Sequence, residues 1–150
     1  MKRQILKTFA TLGFFAALAV TSAHAQTSSV QTASIPFDFT VGDRTLPAGE
    51  YHVERLNPQS DPAAVALRSQ DGKVSVNVLT MPRGSGKAKD APRLVFNRYG
   101  QRHFLAQIWR AADTTGMELP TSRAERRLRR ELQMGTAPAQ TTVALVSRNR

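Results

Sequence analysis

The stretch AVALRSQDGKVSVNV, residues 64 to 78, constrains the fold more than any other part of the chain. Asp71-Gly72 is a preferred pair for a two-residue type I′ hairpin turn. Counting outward from that turn sets Leu67 opposite Val76 and Val65 opposite Val78, all on one face. The other face pairs Arg68 with Ser75 and Ala66 with Asn77. Turn chemistry and burial pattern choose the same register independently, and such agreement between local signals specifies a hairpin. The chain is thereby committed to an antiparallel sheet.

Further strands follow from the same alternation. In SIPFDFTV, Ile35, Phe37, Phe39 and Val41 alternate with polar residues, the pattern of a half-buried strand, with Pro36 marking its start or an edge. Turn chemistry at Gly42-Asp43 and Pro47-Ala48-Gly49 leads into a strand carrying Tyr51 and Val53. RLVFNRYGQRHFLAQIW, residues 93 to 109, reads as a second hairpin. A type II′ turn at Gly100-Gln101 sets Phe96 opposite Leu105 and Asn97 opposite Phe104. Both of its strands are apolar on nearly both faces, which places them at the centre of a sheet. Trp109 is expected to close one end of the core. MPRGSGKAKDAP (81–92) reads as a protruding, mobile loop and GMELP (116–120) as a link. TTVALVS gives a last strand near 141–147.

One helix interrupts the β pattern. In SRAERRLRREL, Ser122 and Glu125 form a capping box, with the hydroxyl accepting from the Glu125 amide and the carboxylate reaching back to the Ser122 amide. Ala124, Leu128 and Leu132 fall on one narrow stripe, which is expected to dock the helix. Glu125 with Arg129 and Arg127 with Glu131 are i,i+4 pairs, and Gly135 is expected to end the helix, which spans 122–134. Arg123, Arg126, Arg127, Arg129 and Arg130 spread over the remaining surface. They are the candidate contact with an anionic surface.

The N-terminus points to export. Lys2, Arg3 and Lys7 precede the apolar run TFATLGFFAALAV, and Ala23 and Ala25 make an A-x-A cleavage pattern. Residues 1–25 therefore read as a signal peptide. The apolar run is shorter than the roughly 20 residues of a membrane span, and no Cys offers a site for lipid attachment. No membrane span is expected in the mature chain, and the expected location is the periplasm or the extracellular space. Residues 26–33 read as a flexible lead and 34–150 as a single β-rich domain. Without Cys, neither a disulfide framework nor a thiolate metal site is available. The chain carries +10, and losing Lys2, Arg3 and Lys7 with no acid leaves +7. A basic exported domain is drawn to anionic surfaces such as lipid head groups or acidic polysaccharide. Export removes nucleic acid as the usual partner of a basic helix.

Taken in order, IPFDFTVGDRTLPAGEYHVE, LVFNRYGQRHFLAQIW and GMELPTSRAERRL resemble a family of small uncharacterised proteins exported by soil bacteria. The shared features are a signal peptide, PF-x-F, LPAGEY, F-x-RYG and LP-x-S-x-AE, over roughly residues 34 to 132. The resemblance implies no activity and no catalytic residues. Its shared positions are turn formers, alternating aromatics and a helix cap.

Chemistry-bearing patterns are sparse. GSGK (84–87) lacks the Ser or Thr of a P-loop, and its flanks read as strands. After residue 25 the histidines are His52 and His103, too few for a metal site without ligands from elsewhere. Glu50, His52 and Glu54 share one strand face, as alternation on any solvated strand would arrange. Asp38, Glu50 and Glu54 are the carboxylates near the core strands, and no nucleophile elbow is present. No catalytic, cofactor or metal residues are assigned. The expected fold is mainly β: a small antiparallel barrel or sandwich of six to seven strands with one C-terminal amphipathic helix. The expected role is a non-enzymatic binding or structural module of the periplasm or cell surface. The alternative is a small-ligand carrier or enzyme using the barrel interior, which needs a cavity of roughly 300 Å³ or more with convergent polar groups.

Overall fold

Leu67 stands opposite Val76, Val65 opposite Val78, Ala66 opposite Asn77 and Arg68 opposite Ser75, the register that the hairpin signal demands. The structure is a computed structural model that describes residues 30–57, 63–84, 91–111, 115–133, 135 and 137–147. The proposed signal peptide and most of the GSGK motif lie outside the described residues.

The strands are β1 (Gln31–Ile35), β2 (Phe39–Val41), β3 (Arg44–Leu46), β4 (Gly49–Arg55), β5 (Ala64–Ser69), β6 (Ser75–Leu79), β7 (Met81–Gly84), β8 (Arg93–Tyr99), β9 (Arg102–Trp109) and β10 (Thr115–Glu118). Helix α1 (Arg123–Glu131) follows, then β11 (Ala139–Ala144) and β12 (Val146–Ser147). One sheet has the order β12-β1-β4-β5-β6. The second runs β11-β8-β9-β10-β7, with β2 pairing in parallel to β9 and carrying β3 beside it. The molecule is mainly β, with two sheets that do not close into a barrel, and is therefore a sandwich.

The strand number exceeds the expected six to seven because long runs bend between sheets. The Ile35-to-Val41 run breaks at Pro36–Asp38, so β1 belongs to one sheet and β2 to the other. Thr80 separates β6 from β7 in the same way, and Leu145 separates β11 from β12. Each corner is tied down. The Ala48 amide donates to Asp38 Oδ1 at 2.9 Å, and both the amide and hydroxyl of Thr80 donate to the Ala63 carbonyl, at 3.0 and 2.8 Å. The Leu145 amide donates to the Pro92 carbonyl at 2.9 Å. Three segments read as irregular contribute strands. Met81–Gly84 of the expected loop pairs with Thr115–Glu118, a strand that takes in Gly116, Met117 and Glu118 of the expected link. Gln31–Ala33 of the expected lead belong to β1.

The hairpin tips divide the turn readings. At Gly100 φ is +60°, Gln101 keeps a negative φ, and Tyr99 pairs with Arg102, as a type II′ turn requires. At the other tip Gly72 has φ +72° but Asp71 does not share the positive φ, so the turn is not type I′. The Gly72 amide instead donates to Ser69 O at 2.9 Å, and Asp71 Oδ1 accepts from the Lys73 amide and from the Ser69 hydroxyl. The register survives because Ser69 N still donates to Val74 O at 2.8 Å.

Between the sheets Ile35, Phe39, Tyr51, Val53, Leu67, Leu94, Phe96 and Ile108 pack at full burial, with edge-to-face contacts of Phe39 to Tyr51 and to Phe96. β8 and β9 are central, as their two-faced apolar character requires. Their register shifts between Val95 and Phe96. Ala106 is the odd residue, and its carbonyl accepts from Leu119 N. Trp109 belongs to neither buried cluster. It stands half-buried opposite Arg93, whose guanidinium lies 5.3 Å from the ring centroid. Its ring lies against Gly116, so it does not close the core as expected.

Candidate basic face of helix α1

Alternation along β8 and β9 puts Asn97, Tyr99 and Phe104 on the face of their sheet turned away from the core, and α1 covers them. Tyr99, Phe104 and Leu128 form a second buried cluster with Ala124 beside it. The stripe read from the sequence is only partly the docking face. Leu128 is 8% exposed, but Leu132 is 51% exposed and Glu125 is 4% exposed. The outer face of β8 explains the exchange. Asn97 Nδ2 and the Tyr99 hydroxyl are donors that the helix would cover, and Glu125 Oε1 accepts from both, at 2.8 and 2.9 Å. An ionised carboxylate can only accept, so it suits two donors.

Only half of the capping box forms. Ser122 Oγ accepts from the Glu125 amide at 3.1 Å, while the carboxylate that would complete the box serves the sheet. Asp43 Oδ1, in the β2–β3 turn, accepts from the Arg123 amide at 3.1 Å and satisfies a second free N–H of the first turn. Arg127 and Glu131 form the expected pair at 3.0 Å. No Glu125–Arg129 ion pair occurs among the described residues. Burial, then the bond to Glu125 and its charge, push the Tyr99 hydroxyl up to about 12, and Arg129 works against that shift.

The five arginines separate onto two flanks of α1. Arg126, Arg129 and Arg130 line an open cleft of about 510 Å³ together with Gln133 and Gly135. No carboxylate among the described residues lines it. Arg126 is held by a bond from Nη1 to the Thr121 carbonyl, and Arg129 is half-buried. Arg123 and Arg127 line a second cleft of about 440 Å³ with Arg102, but Glu131 also borders it and already pairs with Arg127. The helix ends earlier than Gly135. Leu132 is the C-cap, and Gln133 takes the left-handed conformation at φ +49°, the position glycine usually fills. Gln133 and Arg102 were not singled out from the sequence. Gly135 looked like the natural stop, and the proximity of Arg102 depends on how the helix docks.

Elsewhere the surface offers polar groups without catalytic geometry. Two open clefts of about 340 and 380 Å³ share Glu50 and Gln70. Thr32 Oγ1 and His52 Nδ1 lie 3.4 Å apart, but Thr32 and His52 are direct cross-strand partners, which accounts for the contact. The separation exceeds the reach expected of a nucleophile and its base. His103 stacks on Phe37 with ring centroids 3.9 Å apart. Burial, then the charge of Arg98, holds it below the ordinary histidine value, with the backbone at Gln101 opposing. His52 and His103 sit in different sheets, and no group of three or more His, Cys, Asp or Glu able to hold a metal occurs among the described residues. No described helix is long and apolar enough to cross a membrane.

Fold and site together define a β-sandwich with one arginine-rich helix docked on the outside of its larger sheet. No family model, curated protein or solved structure matches the chain.

Proposed function

We propose that this is an exported, non-catalytic binding module that engages an anionic component of the cell envelope, a lipid head group or an acidic polysaccharide, through α1. The observation that carries the reading is the cleft lined by Arg126, Arg129 and Arg130, which has no carboxylate among its described lining residues. Arg126 and Arg130 are four residues apart, a like-charge spacing that costs a helix about 0.2–0.5 kcal/mol. A bound anion relieves that repulsion. Export rests on the A-x-A pattern at Ala23 and Ala25. The filled space between the sheets favours a surface-binding module over the carrier alternative, because the clefts described above all open at the surface.

The test is sedimentation of the exported protein with vesicles of anionic or zwitterionic lipid, and retention on an immobilised acidic polysaccharide, at low and high salt. Binding to an anionic partner that weakens steeply with salt, and weakens further in the Arg126→Gln, Arg130→Gln double variant, is the expected result. Equal binding to zwitterionic lipid, or no binding to any of these, overturns the reading.

A further inference from the structure

Trp109 keeps a large aromatic ring on the outside of the larger sheet, and the way the ring is held points to what it binds. Ile108 of β9 and Met117 of β10 pair, and both face the core. Alternation therefore turns Trp109 and Gly116, and beside them Gln107 and Glu118, to the outer face. Arg93 of β8 flanks Trp109 on one side, and Arg83 of β7 pairs with Gly116 on the other. A Cβ at Gly116 would stand 2.6 to 2.7 Å from three atoms of the indole's six-membered ring. Such nearly equal distances put it over the ring face, so the indole lies flat on the glycine. The φ of Gly116 is not positive, so the ring and not the backbone requires a glycine here. The indole Nε1–H donates to Gln107 Oε1 at 3.0 Å, which fixes the ring within its plane. One face of the indole is thus spent on the sheet. Trp109 is nonetheless only half-buried and lies outside both buried clusters, which leaves its exposure to the other face. The Arg93 guanidinium, bonded to the Ala91 carbonyl, lies 5.3 Å from the ring centroid. A stacked group would sit about 3.5–4 Å away, so Arg93 borders the ring without sealing it.

We propose that Trp109 is a stacking platform for a pyranose ring within an extended, β-1,4-linked polysaccharide, with Gln107, Glu118 and Arg83 bonding its hydroxyls. A pyranose with equatorial hydroxyls presents its axial C–H groups as a flat apolar face, the shape of an indole face. Its edge carries hydroxyls that both donate and accept, so the platform needs both kinds of partner at its rim. The bond from the indole leaves the Gln107 Nε2 group, with two N–H donors, beside the ring. Arg83 Nη1 donates to Glu118 Oε1 at 2.8 Å, and both side chains are open to solvent. A guanidinium donor and a carboxylate acceptor therefore stand side by side, as two adjacent hydroxyls require. They lie on the strands next to Trp109, where a spacing of about 4.8 Å between strands keeps them within reach of a stacked sugar. A cation would also stack on an indole, but Arg93 at the ring's border repels it. Trp109 lines none of the clefts described above. An open sheet face of this kind fits an internal sugar of a straight chain better than a chain end. The site is separate from the arginines of α1 and does not depend on them.

Because the chain has one tryptophan, its emission reports the site directly. The protein is titrated with cellohexaose, with maltohexaose (the same sugar in a curved α-1,4 chain) and with a short single-stranded DNA. Cellohexaose should shift the emission in a saturable way and shield the ring from acrylamide. The effect should not change with salt, because the sugar is uncharged, whereas binding through α1 weakens with salt. Maltohexaose should bind more weakly. By calorimetry, Trp109→Ala should weaken cellohexaose binding by roughly tenfold or more, as removal of a stacking ring does. Gly116→Ala keeps the indole but lifts it from its seat, and it should weaken binding as well. The Arg126→Gln, Arg130→Gln double variant should bind cellohexaose as the parent does. A parent whose emission and acrylamide quenching ignore cellohexaose overturns the platform, whatever the variants do. Undiminished binding in a folded Trp109→Ala does the same, and equal affinity for maltohexaose overturns the extended-chain assignment. A response to DNA alone assigns the ring to base stacking and overturns the sugar site. Loss of cellohexaose binding in the double arginine variant places the sugar on α1 and overturns the platform while leaving the reading of the helix intact.

Discussion

Glu125 is the residue on which the position of α1 turns. Its carboxylate lies under the helix and accepts from Asn97 and Tyr99, whose donors would otherwise be buried without partners. Removing such an acceptor costs the desolvation of the groups left behind, about 1–3 kcal/mol. Glu125→Ala should therefore lower stability by at least that much in denaturant titration, and Tyr99→Phe by less, because Asn97 keeps its acceptor. The same contact gives a pH signature. The Tyr99 hydroxyl is raised from 10.0 to about 12, first by burial and then by Glu125. A folded value above the unfolded one means that the native state holds its proton longer. The contribution to stability is thus complete below about pH 10 and is lost as pH rises toward 12. The chain has two tyrosines, and Tyr51 is raised too, first by burial and then by the charges of Asp71 and Asp38. Phenolate absorbance should therefore show neither tyrosine titrating at the ordinary value while the protein remains folded. A full tyrosine step near pH 10 in the native protein contradicts the burial of both rings. Gly116 makes a further residue-level test. A Cβ there would meet the Trp109 ring at 2.6 Å, so Gly116→Ala must displace the ring. Because the chain has one tryptophan, its fluorescence should shift and solvent quenching should rise.

At the scale of elements, the helix distinguishes packing from charge. Leu128→Ala should cost up to about 2–5 kcal/mol, the range for a fully buried leucine. Leu132→Ala should change stability by less than about 0.5 kcal/mol because that side chain is exposed. Replacing Arg126 and Arg130 with Gln should leave thermal stability nearly unchanged, since surface charges contribute little. A double Gln variant that unfolds, beside a stable Leu128→Ala, would mean that the arginines and not the leucine hold the helix. These elements also show where sequence is informative. Both hairpin registers were legible because turn residues and alternation are local signals. The type I′ reading at Asp71 failed because the Ser69 hydroxyl and Asp71 carboxylate build a different loop around the same register. Gln31–Ala33 carry no apolar run, yet β1 lies between β12 and β4, so neighbours distant in sequence bury it. The arginines were legible as a surface by composition and helical spacing. Gln133 and the Glu125–Tyr99–Asn97 contact were not, because one depends on where the helix actually stops and the other on a strand about 26 residues away.

At the scale of the whole molecule, the question is whether two sheets make one cooperative unit. The corners argue that they do. Pro36–Asp38, Thr80 and Leu145 each carry the chain directly from one sheet to the other, so neither sheet can lose its pairing without pulling on its neighbour. Leu145 shows this most clearly. It is 3% exposed and packs in the core cluster, with β11 bound to β8 on one side of it and β12 bound to β1 on the other. Loss of its side chain leaves a cavity where the sheets share atoms. Leu145→Ala should lower stability by about 2–5 kcal/mol. If the sandwich is one unit, the loss should appear equally in both sheets. Trp109 fluorescence reports the larger sheet, and hydrogen exchange at the β4 and β5 amides reports the smaller one. The two should give the same reduced unfolding free energy. A variant in which the smaller sheet opens first, while Trp109 keeps its native environment, would show that the corner strands connect two units of separate stability.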